Sequence, residues 1–328
     1  MVAAVAAVVA ERLGPIGFTD YAGQAVRTFL RPVAWSGSRI GGPGGLAAGS
    51  TSGSTTAVEV VAVAVERLGV GIGWRPEIDL SIPRLPGVEW VEVIAENLHP
   101  GRLPAALVEL RKRGLPVLPH AVSLSLGGAE PLDTRRVEHL AVVADELDAP
   151  LASDHVCFVR AGGLDAGHLV PLPRTREALD VLVENVRLAQ SIVGRPFALE
   201  NIAALLEWPD AEMSEAAFLA ELTSRTGCLL IVDVANLYAN ARNLGADPVR
   251  FLEEVPLERV AYVHVAGGVE ADGIYHDTHT HPVLPEVLDL LSELRRRREP
   301  PGALLERDGA YPPDDELAAE LAAIRERL

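Results

Sequence analysis

Four of the nine histidines of this chain fall in one stretch, Tyr262–Pro282, which reads YVHVAGGVEADGIYHDTHTHP. Val260, Tyr262 and His264 alternate with Ala261, Val263 and Val265, a period of two that predicts a strand. The pattern breaks at Gly267-Gly268, and the loop that follows carries His276, Asp277, His279 and His281. Imidazole and carboxylate at a strand end, and in the loop after it, are neutral or anionic donors held on a rigid element. A metal site needs such donors.

Similar residues recur along the chain. His120 comes late in the run PVLPHAV, and Asp154 and His155 come late in PLASDHVC. Glu200 and Asn201 end PFALEN, Asp233 ends LLIVD with Asn236 three residues on, and Glu306, Arg307 and Asp308 follow ALL. Taken singly, each has an ordinary explanation: a satisfied core histidine, a carboxylate paired with a neighbour such as Arg307, an asparagine in a turn. Taken together, they would put several charges out of water in one place, which is costly unless a cation sits among them. The donors are nitrogen and oxygen without thiolate, a set that suits iron, manganese or zinc better than Mg2+ or Ca2+. Cys157 and Cys228 read as small buried core residues.

The elements that must position these side chains are short. Eight apolar runs read as strands: Gly69–Gly73, Trp90–Ile94, Pro116–Val122, Pro150–Cys157, Pro196–Asn201, Leu229–Val234, Val260–Val265 and Ala303–Glu306. Helical segments lie between most of them, at Leu103–Arg113, Thr134–Leu147, Thr175–Val193, Met213–Thr226, Pro282–Arg298 and Asp314–Leu328. Ser214 is a plausible cap for the fourth. Continuous apolar runs are what parallel strands covered on both faces look like. The expected class is α/β, as one (β/α)8 TIM-type barrel in which every strand end converges on a common mouth. An open doubly wound sheet is the alternative, but the first turn, GVGIGW, lacks a GxGxxG phosphate fingerprint.

Composition narrows the function. At 328 residues with 48% apolar content, the chain can fill one large barrel or two ordinary domains. A net charge of −17 counts against a nucleic-acid surface and fits a soluble acidic protein. Two cysteines do not make a disulfide framework, so a cytoplasmic location is expected. No apolar run reaches the length of a membrane span. The start, MVAAVAAVVAERLG, has no basic segment before its apolar run and is not read as a secretory signal. Residues 1–68 read as an Ala/Val/Gly-rich extension without chemistry, poorly ordered or in short helices, around the low-complexity stretch Gly41–Thr56. The barrel is expected over 69–328.

From Gly69 onward the chain resembles the multinuclear non-haem iron-dependent oxidative enzymes, formerly a bacterial family of unknown function. The methanobactin-biosynthesis oxidase is their best-known type. The segments that carry the resemblance include GVGIGWRPE at 69–77, EVIAEN at 92–97, PHAVSLSLGG at 119–128, SDHVCF at 153–158, ALENIA at 198–203, DVANLYANARN at 233–243, HDTHTHPV at 276–283 and LLERD at 304–308. Their order and combination are specific. The resemblance implies a barrel like that of xylose isomerase with two or three iron ions at its mouth, of mixed Fe(II)/Fe(III) valence. The positions matching metal ligands are His120, His155, Glu200, Asp233, Asn236, His264, Asp277, His279 and Glu306. Ala235 stands where the family often has Asn, and Asp154 where Glu is frequent; neither removes a matched ligand. His276 and His281 are expected to flank the ligands or face solvent. Arg75 and Asn97 are candidates to support the ligands from outside or to touch a peptide.

The resemblance further implies oxidation of a ribosomally made precursor peptide with O2, often at cysteine, and a small partner protein that presents the peptide. One iron of a mixed-valence pair would take O2 while the other anchors a substrate thiolate. No side chain is expected to act as a separate general base. The runner-up is a divalent-metal sugar isomerase or phosphodiester hydrolase on the same barrel, with the acidic charge against the nuclease. A barrel that only binds metal or acts as a scaffold is the third class.

Overall fold

The computed structural model describes residues 67–328; the 1–68 extension lies outside the described residues except for its last two. Eight parallel strands close into a barrel in the order β1 (Gly69–Gly73), β2 (Trp90–Ile94), β3 (Val117–His120), β4 (Ala152–His155), β7 (Phe197–Glu200), β8 (Leu229–Asp233), β9 (Val260–Ala266) and β12 (Gly302–Glu306). β12 pairs back onto β1, from Gly69↔Gly302 to Ile72↔Leu305. Two antiparallel hairpins stand at strand C-termini outside the barrel, β5 (Cys157–Ala161) with β6 (Leu164–Pro171), and β10 (Val269–Ala271) with β11 (Ile274–His276).

Among the described residues, eight α-helices accompany the strands: α1 (Ala105–Lys112), α2 (Thr134–Leu147), α3 (Arg176–Val193), α4 (Glu215–Thr226), α5 (Val234–Leu244), α6 (Pro248–Glu254), α7 (Pro285–Arg297) and α8 (Asp314–Arg327). Their ends follow local chemistry. Asp133, Thr175 and Ser214 cap α2, α3 and α4 by accepting a backbone N–H, and Gly194 and Gly227 end α3 and α4 in the left-handed conformation. Among the described residues, no helix is long and apolar enough to cross a membrane.

The period of two along each strand divides the core. Outward residues such as Ile72, Val91, Val93, Val117, Leu199, Val232, Val263 and Leu305 pack against the helices. Inward residues Trp90, Leu118, Leu151, Ala198, Leu229, Ile231, Ala261, Tyr262 and Leu304 form a second cluster that plugs the barrel. β1 alternates glycine inward with Val70 and Ile72 outward. A Cβ at Gly71 would run into the Trp90 indole, so the missing side chain makes room for the largest residue of the plug. Trp90 then donates its indole N–H to Gly69 O at 3.3 Å.

The barrel strands stand where the sequence placed them, within a few residues. α5 and α6 were not expected. α5 begins at the residue after β8, because Asp233 both ends the strand and caps the helix, accepting Asn236 N–H at 2.8 Å; no loop residues mark the change. The hairpins occupy stretches read as the end of a strand and a loop. Their turns are Gly162-Gly163 and Asp272-Gly273, all four with positive φ, which suits the tight turns that twisted hairpins favour.

Candidate metal centre

Directly above the plug lies a polar layer, set two residues further along each strand. Leu118 is followed in this way by His120, Ala198 by Glu200, Ile231 by Asp233, Tyr262 by His264 and Leu304 by Glu306. On β4 the inward pair is Ser153 and His155, and on β2 Trp90 is followed by Glu92. All of these polar residues are buried. Strand ends far apart in sequence thus converge at one end of the barrel, as the parallel topology dictates.

Their ligand atoms fall into three joined compartments: His120, His155 and Glu200; then Glu200, Asp233, His264 and Glu306; then His279, Glu306 and Asp308. Glu200 belongs to the first two and Glu306 to the last two. In the first, His120 Nε2 and His155 Nε2 are 3.2 Å apart, and Glu200 Oε2 is 3.3 and 3.4 Å from them. In the second, His264 Nδ1 is 3.2 Å from Glu200 Oε1 and 3.3 Å from Glu306 Oε2. In the third, His279 Nδ1 is 3.3 Å from Glu306 Oε2 and 3.2 Å from Asp308 Oδ2.

These separations suit a cation. Metal–ligand bonds of about 2.0–2.2 Å place neighbouring ligand atoms about 3 Å apart. Glu200 Oε2, Asp233 Oδ2, Asn236 Oδ1 and Asp277 Oδ1 are buried without a hydrogen-bond partner. Buried acceptors without donors are costly, and a bound metal is the partner that would satisfy them.

Outside the compartments, other groups hold the ligands in place. Asn201 accepts Asp233 N–H at 2.9 Å and donates to Asp233 O at 3.1 Å, while Asn236 Nδ2 donates to Asn201 O at 2.9 Å. The Asn236 carbonyl is thereby left free for the cluster. Arg75 donates to Asp308 Oδ1 at 2.7 Å and lies 3.5 Å from Glu306 Oε1, so it neutralises part of the third compartment. Asp277 Oδ2 lies 2.9 Å from His279 Nε2 and orients that ring from its other nitrogen. His279 holds φ at 53°, a backbone state that costs a non-glycine residue about 1–3 kcal/mol and survives where surroundings enforce it. Asp308 N–H donating to His279 O at 2.8 Å is one such restraint.

Electrostatics divides the group. Burial and the neighbouring His155 hold the His120 pKa down to about 3, so this ring is neutral. Burial also opposes charge on His155, but Glu200 and Asp154 outweigh it and push its pKa up to about 9. His264 and His279 are likewise raised well above the usual histidine range: burial works against them, and the facing carboxylates win. Asp233 is raised well above the usual carboxylate range by burial and by Glu200 and Asp277. In the absence of a cation, then, protons occupy the cluster. Burial pushes the Cys157 thiol well up and the Cys228 thiol up to about 11, so neither supplies a thiolate.

The structure therefore gathers His120, His155, Glu200, Asp233, His264, His279 and Glu306 in the three compartments, with Asn236 and Asp277 beside them. Arg75 lies against Asp308 and Glu306 of the third compartment. Asn97 is exposed; its neighbour Glu96 instead bonds Val122 N and Ser123 Oγ, at 2.9 and 2.6 Å. His281 bonds Thr278 and Thr280, and His276 ends the second hairpin. Asp308, which the sequence gives no ligand role beyond its place at a strand end, joins the third compartment. Glu92 is absent from the expected site, although its position two residues after the inward Trp90 is a signal that the sequence carries.

Fold and site define a xylose-isomerase-like (β/α)8 barrel with a cluster of side chains at its mouth that could hold metal ions. Residues 69–328 match the model of the RiPP precursor modification enzyme MbnB/TglH/ChrH, and the chain belongs to that family. A UPF0276 protein of Streptomyces avermitilis is 55% identical over 268 residues, 80% of this chain; the match spans only 55% of that longer relative. A UPF0276 protein of Caulobacter vibrioides is 38% identical, with 79% of this chain and 94% of that protein covered. Among solved structures, a xylose isomerase domain protein from Planctomyces limnophilus is 15% identical with a TM-score of 0.54, over 80% of this chain and 97% of that one. A D-psicose 3-epimerase from Clostridium cellulolyticum, solved with D-tagatose, is 14% identical with a TM-score of 0.53, over 79% and 99%. At such identity these two likenesses establish the barrel and nothing of its chemistry.

Proposed function

We propose that this chain is a multinuclear non-haem iron oxidase that modifies a ribosomally synthesised precursor peptide with O2, at cysteine. Membership of a family of precursor-modifying enzymes supports the substrate class. The observation that carries the chemistry is the joined set of compartments, mixed in nitrogen and oxygen and free of thiolate. The first, with two histidines and one carboxylate, has the ligand set of oxygen-activating ferrous sites. Glu200 and Glu306, each shared between compartments, suit two or three neighbouring ions.

When bound, iron would activate dioxygen and accept electrons from the substrate, redox chemistry that no side chain here can supply. His120, His155 and Glu200 would hold the first ion; Glu200, Asp233, Asn236, His264 and Glu306 the second; His279, Glu306 and Asp308 a third. The plug beneath closes the barrel, so substrate and oxygen would approach from the mouth. The high pKa of Cys157 keeps the chain's own nearby thiol protonated and out of competition with a substrate thiolate. A separate small protein is proposed to present the peptide.

The test is to search the neighbouring open reading frames for a short Cys-containing precursor and to incubate the iron-loaded chain with that peptide, with oxygen uptake and peptide mass followed together. A peptide mass change that requires both iron and O2 is expected. Zinc-only protein with no oxygen uptake points to the isomerase or hydrolase instead. Unchanged metal content and peptide mass in His155→Ala and Glu200→Ala would leave only a scaffold.

A further inference from the structure

Glu92 has no place in the ligand set, yet two of the compartments lead to it. It sits at the centre of β2, buried, with its carboxylate inside the barrel just above the plug. The Tyr262 hydroxyl donates to Glu92 Oε2 at 2.6 Å, and His264 Nε2 lies 3.2 Å from the same carboxylate. Ser153 Oγ is 3.2 Å from the Tyr262 hydroxyl and 2.8 Å from His120 Nδ1. All five residues are buried.

The direction of every bond in this chain follows from Glu92. A carboxylate only accepts, so Tyr262 spends its one proton on Glu92. Ser153 must then donate to the Tyr262 oxygen, and its own oxygen is left to accept from His120 Nδ1–H. On the other limb, His264 must carry its proton on Nε2. With a metal bound, both imidazoles therefore turn an unprotonated nitrogen inward: Nε2 of His120 into the first compartment and Nδ1 of His264 into the second. His264 Nδ1 faces the second compartment's own carboxylates, 3.2 Å from Glu200 Oε1 and 3.3 Å from Glu306 Oε2.

We propose that Glu92 is a positioning residue that fixes the tautomers of His120 and His264 together, one through Tyr262 and Ser153 and the other directly. The two limbs differ in strength. His264 faces an anion, which makes its inward nitrogen the better donor; His120 faces a neutral hydroxyl. Glu92 thus makes the second compartment richer in electron donation than the first, beyond its larger number of carboxylates. This inference rests on the metal-centre reading but not on iron, dioxygen or a peptide.

Zinc, being diamagnetic, serves as the probe. In the full chain loaded with zinc and labelled with 15N, imidazole shifts should show His120 protonated at Nδ1 and His264 at Nε2. Glu92→Gln should move the resonances of both rings and weaken zinc binding roughly 10- to 100-fold. Tyr262→Phe keeps the ring in its packing and should move His120 while leaving His264 nearly in place; it also decides the matter if Glu92→Gln does not fold. Opposite tautomers in the unaltered chain would overturn the proposal, as would a folded Tyr262→Phe with unmoved His120 resonances. Because iron and peptide are absent from this experiment, failure of the oxidase reading would leave its outcome unchanged.

Discussion

At the scale of single residues, the centre is an arrangement of acceptors that lack donors. Ligands that must lose a proton to bind metal make binding pH-dependent. His155 carries its proton up to a pH of about 9 in the metal-free chain. A cation must displace that proton, and the protons that His264, His279 and Asp233 also hold, so metal affinity should rise as pH goes from neutral toward about 9. Calorimetry of Zn2+ binding in buffers of different ionisation enthalpy should detect proton release near pH 7; binding without proton release contradicts the assigned charges. The shared carboxylates also differ in reach. Glu200→Ala removes a ligand from two compartments and should lower metal content more than Asp308→Ala, which touches only the third. Metal analysis of the two variants, side by side, checks this. Most of the ligand set could be read in the sequence, because an imidazole or carboxylate ending an apolar run is conspicuous. Glu92 was not, because a glutamate in the middle of a strand looks like a surface residue until the inward face is known.

At the scale of elements, strands both support the site and present it. Apart from β1, whose inward residues are glycines, the barrel strands contribute an apolar residue to the plug and a polar residue further along to the mouth. Replacing Trp90 with Ala should therefore destabilise the barrel by about 3–5 kcal/mol, read by denaturant unfolding of the metal-free chain. Asp233 has two roles that can be separated. Asp233→Ser can still cap α5 and should lose metal with little loss of apo stability. Asp233→Ala should lose metal and about 1 kcal/mol besides. Equal unfolding midpoints for the two variants would show that the cap contributes nothing. The strands were legible because buried parallel strands are continuous apolar runs. α5 was hidden by its immediate start after β8. The two hairpins were hidden by weak apolar patterning, although Gly162-Gly163 and Asp272-Gly273 are strong turn signals.

At the scale of the whole molecule, the closed barrel brings side chains spread from His120 to Glu306 to one mouth, where they could hold a metal. No local motif could do this, and no local motif revealed it; the convergence became visible only once eight strands were assigned to one parallel sheet. The extension before Gly69 falls outside the family match. Deletion of residues 1–60 is expected to leave metal content and thermal unfolding unchanged; loss of folding would show that the barrel depends on it. The most direct test of the central claim is Mössbauer spectroscopy of the full chain purified from a culture grown with 57Fe, together with metal analysis. More than one iron per chain, with the signals of coupled ions, is predicted. A single isolated iron, or a chain that holds only zinc, would contradict the account.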